Sequence, residues 1–148
     1  MSYTSKHAAI AALIWFIILI GLILTVTVPG AARFADPDYK ILRLLTAVII
    51  LPGFVLNGWL GYKTKKARSN GQIDERDFAI ERRASEITLI VVAIVVFFSS
   101  LLLYETHAQD GTVSRGWLYL MAYGIAALVS FTHALSSLIL DRVGWTNA

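Results

Sequence analysis

The chain has 148 residues, 57% of them hydrophobic and 16% charged, with a formal net charge of +3 and no cysteine. That balance is too apolar for a water-soluble core, and the lack of thiols excludes disulfide frameworks, thiolate metal sites and thiol redox chemistry. What remains is an integral membrane protein whose activity must use its helices, their short loops or a partner.

A span needs about 20 mostly apolar residues to cross a hydrocarbon layer roughly 30 Å thick. Four segments qualify, at about 8–28, 41–62, 87–104 and 117–140. The expectation is a single domain over 1–148, an all-α integral membrane four-helix bundle with a cytoplasmic helical-hairpin extension between helices two and three.

The first span, "AAIAALIWFIILIGLILTVTV", is apolar all round and stops at Pro29-Gly30, a pair that does not readily continue a helix. Lys6 precedes it, as in a secretory signal. A signal core is usually about 7 to 15 residues, however, and no clean small-x-small site follows this longer run, so it is expected to be a retained span. The next loop, "GAARFADPDYK", reads as polar and turn-like.

The second span carries Pro52-Gly53 near its middle, where the missing donor and the clash with the previous turn predict a kink. Gly53, Gly58 and Gly61 leave room for close helix contact. Its end, "YKTKKAR", supplies Lys63, Lys65, Lys66 and Arg68.

After the turn "SNGQ" comes "IDERDFAIERRASEI", dense in both signs of charge, running directly into the uncharged "TLIVVAIVVFFSSLLLY". Asp74 matches an N-cap, with Glu75 and Asp77 in the first turn at the positive end of the helix dipole. No breaker stands between Glu75 and Tyr104, so one helix of about 30 residues is expected, about 45 Å long and longer than the bilayer core. Ile80, Ala84, Ile87 and Val91 form an apolar stripe. Asp74, Asp77 and Glu81 form an acidic row whose like charges oppose helix formation by a few tenths of a kcal/mol. The simplest partner for that row is the basic tail of the second helix, Lys65, Lys66 and Arg68, in a zipped hairpin.

The fourth span contains the polar face Ser130, His133 and Ser137, with Asp141 at its end and Trp145 beyond. Ionisable groups deep in a span default to functional hypotheses. Counting from the helix ends puts Asn57 at similar depth, which proposes an Asn57 to His133 hydrogen bond. The plainer alternative is a neutral histidine satisfied by a neighbour, worth about 0.6 kcal/mol.

Cations set the orientation. Lys63, Lys65, Lys66, Arg68, Arg76, Arg82 and Arg83, with Lys6 and Arg142, lie on one side, against Arg33, Lys40, Arg43 and Arg115 on the other. The positive-inside rule puts both termini and the middle loop in the cytoplasm. No spread basic surface with interleaved aromatics argues for nucleic acid.

"DERDFAIERRA" before an apolar helix resembles the Asp-Glu-Arg-Asp segment of small four-span bacterial inner-membrane proteins of unknown function, through Asp74, Glu75, Arg76, Asp77, Ile80, Arg83 and Ala84. The closing Arg142, Gly144 and Trp145 are also similar to some members. The resemblance implies a bacterial inner-membrane location and no particular reaction.

Metal chemistry is weakly supported. Asp74, Glu75, Asp77 and Glu81 are interspersed with Arg76, Arg82 and Arg83, which argues against a divalent cation. Glu105, His107 and Asp110, with Asp36 and Asp38, lack a rigid i, i+4 ligand pair, and Arg43 or Arg115 is the expected neutraliser of Glu105. One deep histidine cannot supply a bis-histidine haem site, so no cofactor is expected. No credible nucleophile has a base beside it.

The function expected is therefore a small accessory or regulatory subunit without intrinsic chemistry. It would act on itself or on another membrane protein through Asp74, Glu75, Arg76, Asp77, Arg82 and Arg83 as a docking surface. The alternative is a small transporter or channel with a polar path near Pro52, Asn57 and His133.

Overall fold

The structure is a computed structural model that describes residues 3–34, 36–71, 75–107 and 111–144, with the side chains of Tyr3, Thr4 and Arg68 outside the description. Asp74, Asp110 and Trp145 likewise lie outside the described residues, so the N-cap expected at Asp74 and the interfacial anchor at Trp145 have no structural account.

In a lipid phase every backbone polar group must be satisfied within the chain, and an apolar segment answers by forming a helix. The elements are α1 (Tyr3–Thr27), a single turn α2 (Ala31–Phe34), a 3-10 turn (Pro37–Tyr39), α3 (Lys40–Ser69), α4 (Glu75–His107) and α5 (Arg115–Val143). Four of the helices are long and apolar enough to cross a membrane. As expected, α1 ends just before Pro29, and Gly30 takes a positive φ of 86° that other residues rarely adopt. The expected turn-like loop after it is mostly helical, because Phe34 is drawn fully into the core and winds the chain around it.

Burial selects one face of the uniformly apolar α1. Ala11, Trp15, Ile18, Leu22 and Val26 recur at helical spacing and are all buried. This face lies against α5 on one side and α3 on the other, and α4 packs on the far flank of α5. The spatial order is therefore α3, α1, α5, α4. Although α3 and α4 are joined by a short turn, they do not pack along their lengths. Asp74 and the Arg68 side chain, two members of the expected hairpin zip, lie outside the described residues, so the zip itself has no structural account.

Small residues set the helix approaches, as expected where lipid gives little hydrophobic drive for helix association. Gly53 is the one of the three glycines in α3 that serves close contact. A Cβ there would meet the Trp15 ring at 2.8 Å and Ile18 at 2.9 Å, whereas one at Gly58 or Gly61 would meet nothing within 4 Å. Pro52, beside Gly53, is exposed on the outer face of a helix that runs from Lys40 to Ser69.

The end of the bundle holding α2 is closed. Phe34 is 0% exposed and its ring lies 5.2 Å from that of Tyr119. The Tyr119 hydroxyl donates to the Arg43 carbonyl at 2.9 Å. The Arg43 guanidinium donates to the carbonyls of Phe34 and Asp36. Arg43 thus ties down the α2 turn, whose backbone acceptors lie within reach, instead of neutralising Glu105.

Gly116 abuts the backbone of Ala31, where a Cβ would lie 2.9 Å from Cα and closer still to the carbonyl oxygen. Backbone yields less readily than an indole edge. Gly116→Ala is expected to lower thermal stability in detergent more than Gly53→Ala, with both costing about 1–3 kcal/mol of overpacking. Equal melting temperatures for Gly116→Ala and wild type would contradict this close approach.

Candidate functional site

At the end of the bundle that carries the N-terminus and the α3–α4 turn, all four long helices border a cleft of about 600 Å³. Charged groups stand at its mouth: Lys65 from α3, Asp77 and Glu81 from α4, and Asp141 from α5. Its lining also takes in the polar Ser137, His133, Ser130 and Asn57 and, interspersed with them, the apolar Ala8, Ala11, Leu60, Phe78 and Ala134. Asp141 and Val129 bound the lining contributed by α5, a run of roughly 18 Å at about 1.5 Å per residue.

Its floor is a hydrogen-bonded link between three helices. The Trp15 indole N–H donates to Asn57 Oδ1 at 3.0 Å, and Asn57 Nδ2 donates to Ser130 Oγ at 3.1 Å. The expected Asn57 to His133 bond is not formed. Trp15, fully buried, must place its N–H on an acceptor, and Asn57 is the one it meets, so the amide is turned away from His133. Beyond Trp15 the space is filled by the buried Ile18, Leu22 and Ile50.

His133 still sits where sequence placed it, on a face with Ser130 and Ser137. Ser137 turns its hydroxyl back onto the His133 carbonyl at 2.9 Å. The imidazole hydrogen-bonds to no other described residue. It stands between the cleft and a second hollow of about 300 Å³, lined by Ser85, Thr88, Leu89, Val92 and Val129 on the α4 side.

The charged segment of α4 divides its residues among separate tasks. α4 runs unbroken through Ser85. Its buried line is Ile80, Ala84 and Thr88, one residue later at the third position than the stripe expected through Ile87. Thr88 is admitted because its hydroxyl closes onto the Ala84 carbonyl at 2.7 Å. Asp77 and Glu81, on one flank of that line, face the cleft, with Lys65 on the same lining. Arg76 crosses instead to α5, where its guanidinium lies 3.6 Å from the Asp141 carboxylate and donates to the Asp141 carbonyl at 3.1 Å. Asp141 is the better anchor because it is already held in a packed helix, its side chain only 12% exposed. Lys63 lies over the Trp59 ring, its ammonium 3.9 Å from the ring centroid. Arg82 and Arg83 both pair with Glu86 of their own helix, at 3.5 and 2.8 Å. Glu75 and Lys66 are exposed.

Sequence reasoning missed two contacts. One is the tryptophan in the middle of an apolar span, whose N–H is itself a signal that a polar side chain lies opposite. The other is the Arg76 to Asp141 tie, between groups 65 residues apart with no local pattern to link them. On the far side, His107 Nδ1 lies 3.0 Å from the Leu103 carbonyl of its own helix.

The Asn57 to Ser130 bond is testable by a double-mutant cycle of Asn57→Ala and Ser130→Ala, read as thermal or denaturant stability in detergent. The expected coupling is about 0.6 kcal/mol. Additive losses would show that the floor does not connect α3 to α5.

No curated protein and no solved structure matches the chain. Residues 16–143 match the family described as "Predicted membrane protein (DUF2178)". That stretch takes in three of the four candidate spans whole and about half of the first, and the chain belongs to this family of membrane proteins.

Proposed function

We propose that the protein is a non-enzymatic accessory or regulatory subunit of the bacterial cytoplasmic membrane that binds another membrane protein through α4. The observation that carries this is the thin attachment of α4. Only 6% of its most apolar stretch is buried, against 33% for α1. Continuous with that uncovered apolar surface is a charged face made of Glu75, Arg82, Arg83 and Glu86, with the Arg82 side chain 86% exposed. Arg82 and Arg83 are held only by pairing along the helix surface, which contributes little to folding, so these groups are available to a partner. Arg76 belongs to the fold and is withdrawn from the docking set.

The transporter alternative has less support. Beyond Asn57 a path would meet buried Trp15, Ile18 and Leu22, and Pro52 lies on the outer face. Orientation rests on the cation count, which favours a cytoplasmic location for both termini and the α3–α4 turn.

For docking, the test is chemical crosslinking in native membranes followed by purification. Reversal at Arg82 and Arg83 to Glu is expected to reduce the crosslinked heteromeric complex about tenfold and to leave thermal stability unchanged. An undiminished complex removes the proposal, and a crosslink only between differently tagged copies reassigns the surface to self-association.

Orientation can be read with introduced thiols, since the chain has no cysteine of its own. Thr112→Cys is expected to react with an impermeant maleimide on intact spheroplasts, and Ser69→Cys only after lysis. The reverse pattern would invert the topology.

A further inference from the structure

We infer that the outward face of α3, at the end that carries the α3–α4 turn, binds one anionic phospholipid, its phosphate at Lys63 and Lys66 and its glycerol region on Trp59 and Tyr62. This goes beyond the docking role of α4 and does not depend on it.

Helical phase defines the face. At about 100° per residue, Val48, Val55, Trp59, Tyr62, Lys63 and Lys66 fall within one sector of α3 roughly 100° wide. The cleft takes its α3 lining near this end from other positions, Asn57, Leu60, Gly61, Thr64 and Lys65. Val48 and Val55 are exposed, as are Trp59 at 50% and Tyr62 at 66%. The sector is therefore turned toward lipid.

Along it the side chains change from alkyl to aromatic to cationic. A phospholipid changes from acyl chain to glycerol to phosphate in the same order. Val55 and Lys66 are about 16 Å apart along the axis at 1.5 Å per residue, and tryptophan and tyrosine favour the headgroup level between them.

Charge sets the headgroup. The Lys63 ammonium is drawn back one turn, 3.9 Å from the centroid of the Trp59 ring, which holds it at the depth of the indole. Lys66 is exposed one turn further out. Arg76, Arg82 and Arg83, at the same end of the bundle, each pair with a carboxylate, whereas Lys63 and Lys66 form no ion pair among the described residues. Like charges three residues apart on a helix repel weakly; a phosphate between them removes that cost and gains two charge-assisted contacts. His7 of α1, its ring 6.5 Å from that of Trp59, brings a second helix to the edge of the site.

The test uses the full-length protein, purified in detergent, depleted of lipid and titrated with phosphatidylglycerol or with phosphatidylcholine of the same acyl chains. Bound lipid is counted by native mass spectrometry. One phosphatidylglycerol per chain is expected, with phosphatidylcholine at least about tenfold weaker. Lys63→Gln with Lys66→Gln should weaken phosphatidylglycerol binding about tenfold. Arg142→Gln, which removes an exposed cation at the same end of α5, should leave it unchanged, and melting temperatures confirm that each variant is folded. Phosphatidylglycerol brominated in its acyl chains should quench tryptophan fluorescence, and Trp59→Phe should remove the quenching that saturates at one lipid per chain. Equal affinity for the two lipids, undiminished binding by the folded double variant, an equal loss in Arg142→Gln, or displacement of the lipid by inorganic phosphate would each overturn the assignment. So would a disulfide-linked dimer through Tyr62→Cys in native membranes, which would give this face to a second copy of the chain.

Discussion

The indole of Trp15 is the constraint on which the rest of the molecule depends. It is 0% exposed, and in a medium without water its N–H must find an acceptor within the protein. Two features of α3 meet that demand: Gly53 removes the side chain that would collide with the ring, and Asn57, one turn later, accepts the hydrogen bond through its Oδ1. The same Asn57 then spends its amide on Ser130 of α5. One buried aromatic thus fixes the rotation of three helices about their axes, which apolar contact alone specifies poorly when every face of α1 is equally greasy. Phe54, with its ring 5.5 Å from that of Trp15 and nearly perpendicular to it, completes the seat.

That seat also separates two ends of different character. On the α2 side, aromatic rings and the Arg43 carbonyl clamp fill the space between helices, and Tyr119 and Tyr123 stack at 4.4 Å. On the basic side all four long helices border a cleft, with the Trp15, Asn57 and Ser130 link at its inner end. The difference follows from local sequence. Phe34 and the tyrosines bring bulk to one end, whereas Ala8, Ala11, Gly61 and Ala134 bring almost none to the other.

The four long apolar helices and the unbroken run of α4 through its charged start were legible because each depends on composition over a window of many residues. The polar trio Ser130, His133 and Ser137 was legible because helical periodicity fixes a shared face. Partners across helices were not. Asn57 was matched to His133 by depth alone, and depth leaves open which of several neighbours a side chain turns towards; the choice was made by Trp15, an apolar-looking residue whose one polar atom is easily overlooked. The loop containing Phe34 was misread for a related reason, since its aspartates and proline dominate the pattern while a single phenylalanine decides where it goes.

The charged start of α4 shows most clearly where composition stops being informative. Taken as a stretch, it is one cluster, and its natural partner is the oppositely charged tail of α3 nearby in the chain. On a helix, each successive residue turns by about 100°, so neighbours in sequence are not neighbours in space. Ile80, Ala84 and Thr88 settle which side meets α5. With that side fixed, Asp77 and Glu81 fall on a flank beside the cleft, Arg76 reaches Asp141, and Glu75, Arg82 and Glu86 point roughly the opposite way. What holds α4 in place is thus its uncharged line and one arginine. Because α4 leans on α5 and does not pack along α3, Asp77 and Glu81 of α4 and Lys65 of α3 all border the one cleft at this end of the bundle.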